Sequence, residues 1–139
     1  MPAKNLYHDS VVEALIADGW TITDDPLRIR AGRRNLYVDL AADRGRIGAA
    51  KDGERIAVEI QSFVADSDLD NLHRAVGQYA VYRAVLGRGK TPRKLFLAVS
   101  QEVFSTIFAE PMGQWVVADL SRAIVTFDPE NRRIVEWKS

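Results

Sequence analysis

The sequence predicts an α/β fold, with a central mixed β-sheet flanked by helices. Three observations carry this. Glu54 to Gln61 alternates apolar and polar residues at the period of a strand. Leu69, Leu72, Ala75, Val76, Tyr79 and Ala80 recur at helical spacing within a stretch from about Ser67 to Leu86. Lys94 to Val99 is a nearly unbroken apolar run, as expected of a strand covered on both faces. Strand, long helix and strand in succession favour helices layered on a sheet.

The remaining elements follow in order. Val11, Val12, Leu15 and Ile16 form an apolar stripe on a helix from about Lys4 to Asp18, which Gly19 stops. Trp20 to Thr23 reads as a short strand closed by the turn residues Asp24-Asp25-Pro26. Leu36 to Ala41 is strand-like. Ile47 to Lys51 and Glu54 to Gln61 flank Asp52-Gly53, a strong hairpin signal. In the second run Ile56, Val58 and Ile60 are expected on a buried face, with Glu59 and Gln61 together on the other. Ser67 is the expected N-cap of the long helix, and Asp68 and Asp70 suit its dipole. After Gly87, Gly89 and Pro92 come the apolar strand, helical segments at Gln101 to Phe108 and Met112 to Leu120, and strands at Ala123 to Phe127 and Ile134 to Trp137.

The 139 residues suit one domain, 1–139. The 47% apolar content argues against disorder. With no cysteine there is neither a disulfide framework nor a thiolate nucleophile or metal ligand. No apolar run is long enough to cross a bilayer and no secretory signal is visible, so a cytoplasmic location is expected. The 19 basic and 19 acidic residues cancel, which argues against binding nucleic acid by bulk charge. Contact with DNA would have to be local.

Two acids stand in apolar strand contexts: Asp39 in Tyr37-Val38-Asp39-Leu40, and Glu59 in Val58-Glu59-Ile60-Gln61. Burying an ionised carboxylate is costly unless it is paired or binds a cation. Two carboxylates on adjacent strands, with the Ile60 carbonyl and waters, make an oxygen-rich site of the kind Mg²⁺ prefers. Such an ion can activate water and stabilise charge on a phosphodiester. The plainer reading is that these acids face solvent at strand ends or pair with arginine.

Asp39 followed by Glu59-Ile60-Gln61 resembles the D…(D/E)-x-K signature of the restriction-endonuclease-like PD-(D/E)xK superfamily. The surrounding text is closer to one family. His8-Asp9, Asp18-Gly19-Trp20-Thr21-Ile22-Thr23, Asp25-Pro26-Leu27, Tyr37-Val38-Asp39-Leu40, Ile56-Ala57-Val58-Glu59-Ile60, Gly77-Gln78-Tyr79, Leu97-Ala98-Val99 and Val135-Glu136-Trp137-Lys138 resemble the XisH family over nearly the whole chain. That resemblance implies a restriction-endonuclease-like sandwich. It also implies the role of an fdxN-element excision controlling factor, chiefly cyanobacterial, accessory to site-specific DNA recombination in heterocyst development. The partners it implies are a site-specific recombinase and a small XisI-like protein.

Residue by residue, Asp39 and Glu59 match the two metal-binding acids, with Mg²⁺ or Mn²⁺ as the implied cofactor. Gln61 stands where the family and superfamily usually carry lysine. It can orient a water but brings no charge. His8 and Asp9 fall where many relatives carry a helix-borne glutamate, which makes Asp9 a candidate third acid; otherwise it is an exposed helix residue or a dipole partner. Gln78, with Tyr82, resembles the glutamine-bearing helix of related nucleases, while Tyr79 and Tyr82 also suit core packing.

Two further features concern charge. If Asp52-Gly53 is a two-residue turn, Arg46 falls opposite Glu59, and an Arg46–Glu59 ion pair would compete with metal. Arg28, Arg30, Arg33 and Arg34 lie within seven residues, and a loop carrying them would suit DNA phosphates. Arg88, Lys90, Arg93 and Lys94 form a second cluster. The plainer meaning of both is a solvated surface. Asp66, Asp68 and Asp70 would repel DNA nearby, and Trp115 and Trp137 suit packing or an interface. Three readings follow: an accessory factor for DNA excision, an active Mg²⁺-dependent endonuclease, or a catalytically inert interaction module. Self-association is compatible with each.

Overall fold

The structure, a computed structural model, describes residues 6–45, 53–89, 92–120 and 123–138. Helix α1 (His8–Ala17) is followed by strands β1 (Thr21–Asp24), β2 (Leu27–Ala31), β3 (Arg34–Val38), β4 (Leu40–Arg44) and β5 (Glu54–Ile60). Then come helix α2 (Asp68–Leu86), strand β6 (Lys94–Ser100), helix α3 (Gln101–Thr106), a 3₁₀ turn at Ile107–Ala109, helix α4 (Pro111–Asp119), and strands β7 (Ile124–Asp128) and β8 (Arg133–Lys138). Six strands form one mixed sheet in the order β1-β4-β5-β6-β7-β8. β5, β6 and β7 run parallel to one another, and the other neighbours are antiparallel. α1 packs on β1, β7 and β8, α2 on β6 and β2, and α3 on β6 and β7. The predicted fold class is the observed one. Among the described residues, no helix is long and apolar enough to cross a membrane.

Local chemistry explains the element ends. Gly19 takes φ +96°, so the Gly19 and Trp20 amides turn back to the carbonyls of Ile16 and Leu15 and close α1. The Ser67 hydroxyl accepts from the Asp70 amide at 3.2 Å, the expected N-cap of α2. β6 is buried from Leu95 to Ser100, as its apolar run requires. At the edge strand β8, Trp137 packs 5.5 Å from Trp20 and 5.0 Å from Phe96 by ring centroid, and its indole N–H donates to Asp18.

Four expectations need correction. Leu36 to Ala41 is not one strand. β2 and β3 form a separate two-stranded hairpin, Asp39 is the break, and β4 belongs to the main sheet. The basic stretch is therefore a hairpin rather than a loop, with Ala31 opposite Arg34 and Gly32-Arg33 as the turn. Gly32 adopts φ +62°, the positive value that a glycine supplies at such a tight turn.

Second, both sides of β5 are buried from Ile56 onward: Ala57, Glu59 and Gln61 as well as Ile56, Val58 and Ile60, with Gln61 tied to Gln78 of α2. Third, Leu69 is 47% exposed, and Asn71 is buried instead, its amide bonded to both the N–H and the carbonyl of Ala65. Fourth, Ile47 to Lys51 lies outside the described residues, as does Arg46, but the register is set by β4. Leu40 pairs with Val58 and Arg44 with Glu54. One step further puts Asp39, not Arg46, across from Glu59.

Candidate functional site

That register follows from burial. Val38 and Leu40 are both fully buried, so the residue between them is held in place on either side. Asp39 lies where the chain leaves the hairpin for the main sheet, with its backbone N–H and its carboxylate both directed at β5. The Asp39 amide donates to Glu59 Oε1 at 3.1 Å, and the Ile60 amide donates to Asp39 Oδ2 at 2.8 Å. Each carboxylate is thus anchored by the other strand's backbone.

The electrostatics follow from this closeness. Burial, and then the charge of Asp39, push the Glu59 carboxyl up to about 8. Burial also raises Asp39, opposed by the Ile60 amide and by its side-chain hydrogen bond with Glu59. At neutral pH the pair therefore keeps a proton between its two carboxyls. Tyr82 is raised by burial and by the charges of Glu59 and Asp39, which places its hydroxyl in their field.

A cavity of about 170 Å³ opens over the pair, and both acids, Gln61, Asn71, Arg74 and Gln78 contribute to its walls. The Gln61 amide N–H donates to the Gln78 side-chain oxygen, tying the end of β5 to α2. Arg74, Gln78 and Tyr82 are four residues apart along α2, about 6 Å per step, and so share the face turned to the acids. On the opposite flank His8 is buried, its Nε2 2.7 Å from Asp25 Oδ1 but without hydrogen-bond alignment. Both groups act electrostatically on Asp39.

The structure thus brings together Asp39, Glu59, Gln61 and Gln78. It does not bring in Asp9, which is exposed on α1 while its neighbour His8 faces inward. Among the described residues, no group of three or more acidic, histidine or cysteine side chains forms a metal cluster. The donor set nevertheless fits a hard divalent cation: the buried Glu59 carboxylate and the half-buried Asp39 carboxylate, in like-charge conflict beside the Gln61 amide. Arg74 lies in no motif of its own, and its spacing of four residues from Gln78 is the only sequence signal that places it on the same face.

The basic clusters part company. Arg28, Arg30, Arg33 and Arg34 are exposed on the hairpin. Arg28 and Arg30 sit opposite Tyr37 and Asn35, so these four side chains share the outer face. In the second cluster Arg93 is taken up internally, bonded to Asp43 at 3.0 Å and to the Ile56 carbonyl at 3.2 Å. Lys94 lies over the Phe96 ring, and Lys90 is outside the described residues. Arg88 is exposed and shares with Arg30 the walls of a surface groove of about 490 Å³ between the hairpin tip and the end of α2.

The XisH protein family model matches residues 1–135. The chain belongs to the XisH family. Its fold is similar to a crystal structure of an XisH family protein from Nostoc punctiforme, with a TM-score of 0.85 and 35% identity over 97% of this chain and 100% of that one. It is also similar to an fdxN element excision controlling factor protein from Anabaena variabilis, with a TM-score of 0.84 and 33% identity over 98% of this chain and 100% of that one. No curated protein matches the chain.

Proposed function

We propose that this XisH protein is an accessory factor for site-specific DNA excision, built on a PD-(D/E)xK-like nuclease fold, that engages DNA at a divalent-cation site formed by Asp39 and Glu59. The observation that carries this is the reciprocal anchoring of the two carboxylates, Asp39 on the Ile60 amide and Glu59 on the Asp39 amide. It fixes the buried Glu59 and the half-buried Asp39 side by side on the wall of an open cavity. Two carboxylates this close and this poorly solvated need a proton or a cation, and Mg²⁺ or Mn²⁺ suits their oxygen donors. Bound there, the ion supplies Lewis acidity toward water and a phosphodiester.

The chain's own residues have separate tasks. Asp39 and Glu59 hold the ion. Gln61, braced by Gln78, orients a water or a phosphate oxygen through its amide. Arg28, Arg30 and Arg33 contact DNA phosphates from the hairpin, with Arg34 beside the turn. The similarity to an fdxN element excision controlling factor supports the excision role. A recombinase and an XisI-like protein are the partners that the family resemblance implies, and co-purification with each tests them.

A second reading, cleavage by the chain itself, is favoured by the same acid geometry. Nicking of supercoiled plasmid by purified protein separates the two. Mg²⁺- or Mn²⁺-dependent nicking that disappears in Asp39→Ala and Glu59→Ala establishes an endonuclease. DNA binding that needs the cation, without nicking, establishes the accessory role. Binding indifferent to cation and to both substitutions refutes the site.

A further inference from the structure

The acid-pair cavity has an unexplained charge. Gln61 brings none, yet one wall of the cavity is the guanidinium-bearing Arg74 of α2. Arg74 is exposed, so packing does not account for it. Among the described residues it forms no ion pair within 4 Å, neither with Asp39 and Glu59 across the cavity nor with Asp70 one helical turn earlier. Gln78, the next residue along the same face, is already engaged with Gln61. An arginine that lines the same open cavity as two carboxylates, without touching them, leaves room for an anion held between it and a cation on those acids. Its planar fork of donors matches the oxygens of a phosphate.

We infer that Arg74 supplies from α2 the positive charge that this site lacks at Gln61, holding a non-bridging oxygen of a DNA phosphodiester that faces Asp39 and Glu59. This rests on the acid-pair site proposed above. Position 74 is four residues from Gln78, so a helix face replaces a strand residue as the source of charge. The arrangement also explains how α2 contributes to DNA binding despite the exposed acids Asp66, Asp68 and Asp70 at its start.

The test uses the full chain, a short fluorescein-labelled DNA duplex and Ca²⁺, with anisotropy for DNA and calorimetry for the ion. Arg74→Gln should weaken Ca²⁺-dependent DNA binding about tenfold and reduce the salt slope by about one. Arg74→Lys should recover most of that loss. Calcium uptake should stay unchanged or tighten, and circular dichroism should show an intact fold. If the wild type takes up Ca²⁺ but Arg74→Gln binds DNA equally well, the Arg74 role is wrong and the acid-pair site stands. If Arg74→Gln loses calcium uptake as well, Arg74 shapes the acid site rather than holding phosphate, and the inference fails. If the wild type takes up no Ca²⁺, the acid-pair reading fails and takes this inference with it.

Discussion

The acid pair and the arginine hairpin are adjacent in the chain, Val38 ending one and Asp39 opening the other, yet they treat charge in opposite ways. Glu59 is buried and tied to the Asp39 backbone amide, and its carboxyl holds a proton near neutral pH. Arg28, Arg30 and Arg33 stand in water on a two-stranded hairpin outside the main sheet. Charge in the interior must be neutralised by something bound, whereas charge on the hairpin is neutralised only when a partner arrives. On the proposed function, the first serves as an ion site and the second as a salt-sensitive surface.

The largest effect expected from this contrast is on DNA affinity. Replacing Arg28, Arg30, Arg33 and Arg34 together with glutamine should weaken DNA binding at least 100-fold at low salt. It should also flatten the salt dependence by about 0.9 for each phosphate that is no longer neutralised. A mobility-shift series across salt concentrations reads this. Unchanged affinity would show that the hairpin is only a solvated face. Folding stability should hardly move, because these side chains are exposed.

A smaller effect, opposite in kind, is expected at the acids. The Glu59 carboxyl titrates near 4.5 when unfolded and about 8 when folded, so the folded state holds the extra proton between those values. The stability contributed by the protonated form is full below pH 4.5 and is lost as pH rises through about 8. Glu59→Gln, which keeps a neutral side chain at all pH values, should therefore raise Tm above the wild type at pH 9. The difference should be several degrees for a contribution on the order of a few kcal/mol, and it should shrink at pH 5. A Tm difference independent of pH would show that Glu59 is not protonated in the fold.

How much of this was legible in the sequence differs between the two regions. β6 and α2 were readable because burial imposes a pattern on every residue of a strand or helix, and Lys94–Ser100 and Asp68–Leu86 carry it. Asp39 and Glu59 stood out as acids in apolar surroundings, and their proximity agrees with that signal. The hairpin was missed because its strands are short and its outer face is arginine, asparagine and tyrosine, so alternation looked like a polar loop. The Gly32-Arg33 turn was the available clue. The register of β5 was misjudged because Asp52-Gly53 suggested a local partner, while the actual partner strand, β4, is fixed by Leu40 opposite Val58. Arg93 looked like surface charge because nothing local shows that Asp43, fifty residues earlier, will meet it.

The most direct test of the account is a calorimetric titration of the full chain with Mn²⁺ at pH 6.5 and pH 8.5, in buffers of different ionisation enthalpy. The account predicts one ion per chain, tighter uptake at the higher pH, proton release at pH 6.5 that diminishes by pH 8.5, and loss of uptake in Asp39→Asn and Glu59→Gln. Absence of uptake at both pH values, or uptake undisturbed by either substitution, would contradict it.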